Sequence, residues 1–258
     1  MKSVGVIGGL GPETTSEFYL EVIFQCQKQN NIQRPLIVIS SVPLLFEIEK
    51  NLIEHNQGKE QYIPFLVAEA QRLEKSGVDF IVMPCNSLHV FIEDIRKAVK
   101  IPVLSIVEET VAYLRQNKME KVGLISTSAT IANSVYETEL QKNKIVFAVP
   151  NDLQKAKIDK IIQRLVGGQH LNSDREFIME VVDDLAKSGV DGVALACTDL
   201  QLLLPKSYNV HIFDTMSVLA RATTNQILAD RMEKYKKGQA VLHSNKEVAT
   251  LLGLKSDI

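Results

Sequence analysis

One phrase of this chain is written twice, and nothing else in it restricts the fold so much. Residues 75–85 read KSGVDFIVMPC and residues 187–197 read KSGVDGVALAC, 112 positions apart, with the KSGVD block identical. Each copy predicts a helix end, a glycine turn, a buried strand, and a cysteine at the strand's carboxyl end. Two further pairs keep the same order along the chain. KSVGVIGGLGPETT at 2–15 parallels EKVGLISTSATIAN at 120–133, and IPVLSIVEET at 101–110 parallels YNVHIFDTMS at 208–217. Three ordered matches at similar offsets indicate an internal duplication.

Between these blocks, apolar runs alternate with longer amphipathic stretches. Strands are expected near 3–8, 35–41, 79–83, 102–105, 121–126, 145–148, 191–196 and 210–213. Helices are expected between them, among others at 12–28, 59–76, 87–99 and 174–188. Such alternation implies βαβ units, and so an α/β fold. Combined with the duplication, it predicts two similar Rossmann-like lobes with mainly parallel sheets, related by a pseudo-twofold axis. The first lobe is expected to hold residues 1–105 plus about 210–235, and the second 106–209, with a C-terminal extension at 236–258. Ligands of open α/β sheets sit at the carboxyl ends of the strands. Two lobes facing each other through those ends share one cleft, with a cysteine on each wall.

Composition removes several classes of function. The 258 residues carry 45% hydrophobic and 23% charged side chains and a net charge of −2, with no basic face for nucleic acid or an anionic membrane. No stretch reaches the roughly 20 apolar residues of a membrane span. The start, Met1-Lys2-Ser3 followed by Val4-Gly5-Val6-Ile7, does not read as a signal peptide. A cytoplasmic protein is expected. Its three cysteines, odd in number and far apart, are expected to stay reduced.

Cys85, in Met83-Pro84-Cys85-Asn86-Ser87-Leu88-His89, and Cys197, in Ala196-Cys197-Thr198-Asp199-Leu200, share one setting between a strand and the next helix. Backbone N–H groups and the helix dipole there are expected to lower the thiol pKa and favour the reactive thiolate. Cys26, in a helical stretch near Val22 and Phe24, reads instead as a small buried hydrophobe. Two thiols across a cleft suit removal of a proton from one face of a carbon and its return to the other. The developing carbanion needs donors around the α-carboxylate, and Asn86, Ser87, Thr127 and Thr198 are the candidates. The Gly8-Gly9-Leu10-Gly11-Pro12 turn allows close approach of an anion, but it matches neither a dinucleotide fingerprint nor a P-loop. His89, one helical turn after Cys85, is a candidate to tune the thiol or orient a water. Asp199 is a candidate to orient Cys197 or His89 or to cap the following helix at its N-terminus, chiefly the last, with some contribution to the site. No Cys/His cluster with metal-ligand spacing accompanies them.

GGLGPETT at 8–15, PCNSLH at 84–89, STSAT at 126–130 and ACTDLQLLL at 196–204 resemble the aspartate/glutamate racemase superfamily, most closely its aspartate racemase branch. The likeness extends over about residues 2 to 230. It implies a racemase that needs neither pyridoxal phosphate nor metal, commonly dimeric, with Cys85 and Cys197 as acid and base and an amino-acid substrate between the lobes. Gly9, Leu10, Asn86, Ser87, Thr127, Thr130 and Thr198 would line the substrate site, with His89 and Asp199 in support. Two positions depart from the pattern. Where aspartate racemases carry an Arg for the side-chain carboxylate, this chain has Leu45, and where they carry a Lys it has Val166. Either Arg164, Lys160 or another base replaces these anchors, or the substrate is not aspartate and has an uncharged or apolar side chain. Maleate isomerase or hydantoin racemase chemistry, and a non-catalytic binding protein on the same scaffold, remain as alternative readings.

Overall fold

The computed structural model describes residues 1–29, 33–45, 47, 48, 51, 57–203 and 208–229. The expected extension at 236–258, the basic stretch from Arg231 to Lys237, His55 and His243 lie outside the described residues. Strands β1 (Val4–Gly8), β2 (Ile37–Ser41) and β3 (Phe80–Val82) form one parallel sheet in the order β2-β1-β3. Strands β4 (Lys121–Ile125), β5 (Val146–Ala148), β6 (Gly192–Leu195) and β7 (Ile212–Asp214) form a second parallel sheet in the order β5-β4-β6-β7. The first three strands of each half therefore pair in the same pattern. The counterpart of β7 in the first half shrinks to a single parallel bridge, Ile81 to Val103. Pro102 shortens it, because proline has no N–H for a ladder.

Helices separate the strands: α1 (Pro12–Gln29), α2 (Ile63–Lys75), α3 (Ile92–Ala98), α4 (Ile106–Gln116), α5 (Ser128–Ala132), α6 (Glu137–Lys142), α7 (Asp152–Val166) and α8 (Asn172–Lys187). A further helix, α9, covers 215–229. The helix expected over 59–76 divides into a 3₁₀ turn, Lys59–Tyr62, and α2, where Pro64 fits the first turn. That expected over 87–99 divides likewise into a 3₁₀ turn, Ser87–Phe91, and α3.

The duplicated KSGVD block has the same local job in both halves. Ser76 Oγ donates to Leu73 O and Ser188 Oγ to Leu185 O, each at 2.6 Å, closing the ends of α2 and α8. Gly77 (φ 81°) and Gly189 (φ 77°) then reverse the chain in the left-handed region that glycine enters without a Cβ clash. The following aspartates tie each helix–strand turn to the start of the sheet. Asp79 Oδ2 accepts Ser3 N–H at 2.6 Å, and Asp191 Oδ2 accepts the N–H groups of Glu120 and Lys121 at 2.8 Å. These backbone hydrogen bonds hold both carboxyls below their ordinary pKa. Gly5 on β1 and Gly123 on β4 complete the parallel. A Cβ at Gly5 would meet Leu73 Cβ at 3.1 Å, and one at Gly123 would meet Leu185 Cβ at 3.2 Å, so both glycines seat the same leucine of the repeat.

Three apolar clusters hold the molecule together. One belongs to the first half, around Ile7, Leu66, Leu73 and Ile81, and one to the second, around Ile125, Ile161, Val181 and Leu195. The third is shared: Val4, Val6 and Phe18 meet Val122, Leu124 and Phe213 there, with α4 and α9 contributing Val111 and Leu219. Cys26 lies in this shared core, fully buried, and burial raises its pKa. Non-directional burial of apolar area dominates such an arrangement.

Candidate active site

Both repeat cysteines line one cleft. It has about 510 Å³ of empty space, part of it open to solvent, and the residues on its walls come from both halves. Cys85 follows β3 and is partly exposed; Cys197 follows β6 and is 6% exposed. No disulfide joins any of the three cysteines.

The residue two places after each cysteine crosses to the βα turn of the other half. From the first half, Ser87 Oγ lies 3.1 Å from Thr127 Oγ1 and 3.0 Å from Thr130 Oγ1, and those two hydroxyls are 2.9 Å apart. Thr127 also caps α5 by accepting Thr130 N–H at 3.1 Å. From the second half, Asp199 Oδ1 accepts Thr14 Oγ1–H at 2.6 Å and lies where a Cβ on Gly11 would press at 2.9 Å. Asp199 Oδ2 faces Cys197 Sγ at 3.8 Å. The carboxylate thus lines the cleft, and burial raises its pKa despite these donors.

The expected lowering of the thiol pKa does not hold at Cys197. Burial pushes this thiol well above its ordinary pKa, and the charges of Asp199 and Cys85 push the same way. Backbone N–H groups of Asp199 and Leu200 act in the expected direction but are outweighed. The elements after the cysteines are 3₁₀ turns, Ser87–Phe91 and Thr198–Leu203, too short to supply much dipole.

His89 does not reach a thiol. Its Nδ1 is 2.6 Å from Cys85 O, and its Nε2 accepts the N–H of Ile106 at 3.0 Å. The second bond fixes Nε2 as an acceptor, so Nδ1 carries the proton and donates to the carbonyl. Burial lowers its pKa to about 4. His89 is therefore a neutral clamp between the Cys85 loop and the start of α4.

Asn86 is similarly occupied. Its Oδ1 accepts Tyr136 O–H, and its Nδ2 donates to Thr215 Oγ1 at 3.0 Å, which in turn donates to Leu195 O at 2.8 Å. Asn86 also forms part of the cleft wall. Thr198 lines the cleft with its hydroxyl 3.4 Å from Pro84 O, and Leu10 and Val166 line it too. Gly9 donates its N–H to Thr15 Oγ1 at 2.9 Å. Leu45 is 62% exposed and stands apart from the residues that line the cleft. Arg164 is not a substitute anchor, since its Nε and Nη2 bind Asp174 at 2.9 and 2.5 Å. Lys160 is exposed and outside the lining.

Several site residues escaped the sequence reading. Tyr62, Leu88 and Ile162 line the cleft, while Thr14, Tyr136 and Thr215 hold residues that do. Thr14 and Thr215 fall in duplicated blocks, which was a usable signal. Tyr62, Tyr136 and Ile162 follow ordinary apolar patterns and carried none.

Among the described residues, no group of three or more His, Cys, Asp or Glu side chains is placed to hold a metal ion. No described helix is long and apolar enough to cross a membrane.

The family model for Asp/Glu/Hydantoin racemase matches residues 7–223. The broad specificity amino-acid racemase RacX of Bacillus subtilis (strain 168) is 31% identical over 231 residues, covering 88% of this chain and 98% of that protein. The crystal structure of an aspartate racemase homologue from Pyrococcus horikoshii OT3 superposes with a TM-score of 0.71 at 25% identity, covering 88% of this chain and 99% of the other. The fold is also that of the Picrophilus torridus aspartate racemase, with a TM-score of 0.74 at 24% identity, over 88% of this chain and 94% of the other. This chain belongs to the Asp/Glu/hydantoin racemase family.

Proposed function

We propose that the protein racemises an α-amino acid with Cys85 and Cys197 as the acid and base, and without a cofactor. One observation carries this reading: two cysteines at equivalent strand ends of duplicated halves line a single cleft. In one direction, a thiolate at Cys85 takes the proton from Cα. The C–H electron pair passes into the carboxylate as the bond breaks. The Cys197 thiol then gives its proton to the opposite face, leaving a thiolate at Cys197 and a thiol at Cys85. Nothing is oxidised or reduced, and the reverse reaction starts from the state so produced.

The surroundings support this division. Burial and the Asp199 carboxylate keep Cys197 protonated in the resting molecule, as an acid must be. Cys85 is the more exposed of the pair. Ser87 and Thr127 bring hydroxyls from the two halves together on the cleft wall, with the buried Thr130 bonded to both, suited to the carboxylate on which negative charge accumulates. Exchange of the α-proton in D2O, followed by NMR across a panel of amino acids, tests the reading. Deuterium incorporation that disappears in Cys85→Ser and in Cys197→Ser is expected. Absence of exchange with every amino acid would refute it.

A further inference from the structure

We infer that the cleft takes amino acids with uncharged, mainly aliphatic side chains and rejects aspartate, glutamate and lysine, an inference that rests on the racemase reading above. The cleft is walled by Leu10, Tyr62 and Leu88 from the first half and Ile162 and Val166 from the second, beside Thr127 and the polar residues that follow the two cysteines. Among the described lining residues there is no Lys, Arg or His.

The basic groups nearest in sequence to this wall are already engaged or turned away. Arg164, two residues before Val166, grips the buried Asp174 with two nitrogens. His170, beyond the same helix, is 2.9 Å from Glu13 across the two halves. Lys160 is exposed and does not line the cleft. A substrate side-chain carboxylate would therefore enter a mainly apolar enclosure with no cation among the described lining residues. The ionisable groups among the described lining residues are Tyr62, the two thiols and Asp199, and none of them carries a positive charge to offset the carboxylate. An unpaired buried charge is strongly disfavoured, whereas methylene groups gain by leaving water. Among the described lining residues, Asp199 is the one carboxylate that a lysine ammonium could meet. Both oxygens of that carboxylate are already directed at Thr14 Oγ1 and Cys197 Sγ. Ile162 and Val166, one helical turn apart on α7, and Tyr62 opposite in sequence half are the residues that set this preference.

The experiment measures two quantities on the full chain. Calorimetric binding and α-proton exchange in D2O are recorded with L-leucine, L-methionine, L-aspartate, L-glutamate and L-lysine. Leucine or methionine is expected to bind and exchange at least about tenfold better than the three charged amino acids, the discrimination a pocket of fixed polarity readily provides. In Val166→Lys, aspartate is expected to gain on leucine, while Lys160→Ala leaves the preference unchanged. Binding of uncharged amino acids without exchange would sink the racemase reading and leave the selectivity standing. Equal or better binding of aspartate, glutamate or lysine, or binding of none of the five, would overturn the selectivity.

Discussion

The two cysteine loops occupy the same register in duplicated halves, yet they are not chemical copies. After Cys85 come Asn86, Ser87, Leu88 and His89; after Cys197 come Thr198, Asp199, Leu200 and Gln201. The second residue of each loop crosses to the opposite βα turn, as a hydroxyl in one case and a carboxylate in the other. The fourth residue is a histidine bonded at both nitrogens in the first half, and a glutamine in the second whose buried Nε2 has no partner among the described residues. Duplication thus fixes where the thiols stand, while burial and the neighbouring Asp199 raise the pKa of Cys197. Under the two-thiol mechanism proposed above, the first property serves both faces of Cα and the second keeps Cys197 protonated as the starting acid.

The largest effect should come from removing either thiol. Cys85→Ser and Cys197→Ser are each expected to slow racemisation by about 10³-fold, read as loss of optical rotation change, because neither face can be served alone. A variant retaining most of its rate would break the equivalence of the two positions.

His89 distinguishes the halves in stability. Its pKa of about 4 lies below the ordinary histidine value of 6.5. The unfolded chain therefore binds a proton that the native state refuses as pH falls from about 6.5 to 4. Stability is fully present above that window and declines through it, by about 3 kcal/mol at the lower end. Denaturant midpoints at pH 7 and pH 4.5 check this, and His89→Gln should remove that part of the decline.

The scaffold, in contrast, should behave symmetrically. Gly5→Ala and Gly123→Ala each push a methyl against the leucine of the repeat, and each is expected to destabilise by about 2 kcal/mol. Thermal unfolding of the two variants side by side would sharpen the comparison, and a large inequality would show that the halves carry different strain.

The smallest predicted effect concerns Asp199. In Asp199→Asn the negative charge beside Cys197 is lost, so the thiol pKa falls toward its ordinary range. The direction that uses Cys197 as acid should lose rate at a lower pH than in the parent, and the direction that uses it as base should begin at a lower pH. Either rate at neutral pH should change by about tenfold. Full pH profiles in both directions read this out. A profile unmoved by the substitution would detach Asp199 from the thiol.

Much of this was legible in the chain. The KSGVD repeat marked two helix ends, two glycine turns and two strands, because each of its residues has a local bonding role that sequence patterns report. It also placed both cysteines at strand ends. The electrostatics were not legible. A strand–cysteine–helix pattern suggested a lowered thiol pKa, whereas burial at Cys197 and the side chain of Asp199 reversed it. Both depend on contacts between residues as far apart as Thr14 and Asp199. The bonding of His89 was hidden for a related reason, since its second partner, Ile106 N–H, lies outside the PCNSLH motif. Val166 was found on the cleft wall, but Leu45 was not, and the aromatic and aliphatic walls formed by Tyr62 and Ile162 were hidden among ordinary core patterns.

The most direct test of two thiols acting on opposite faces follows deuterium early in a reaction run in D2O with the amino acid that exchanges fastest. With separate acid and base, the product enantiomer should carry solvent deuterium while the unreacted substrate stays protonated. Deuterium entering the recovered substrate as fast as the product would mean that one group serves both faces, and would contradict the assignment of Cys85 and Cys197.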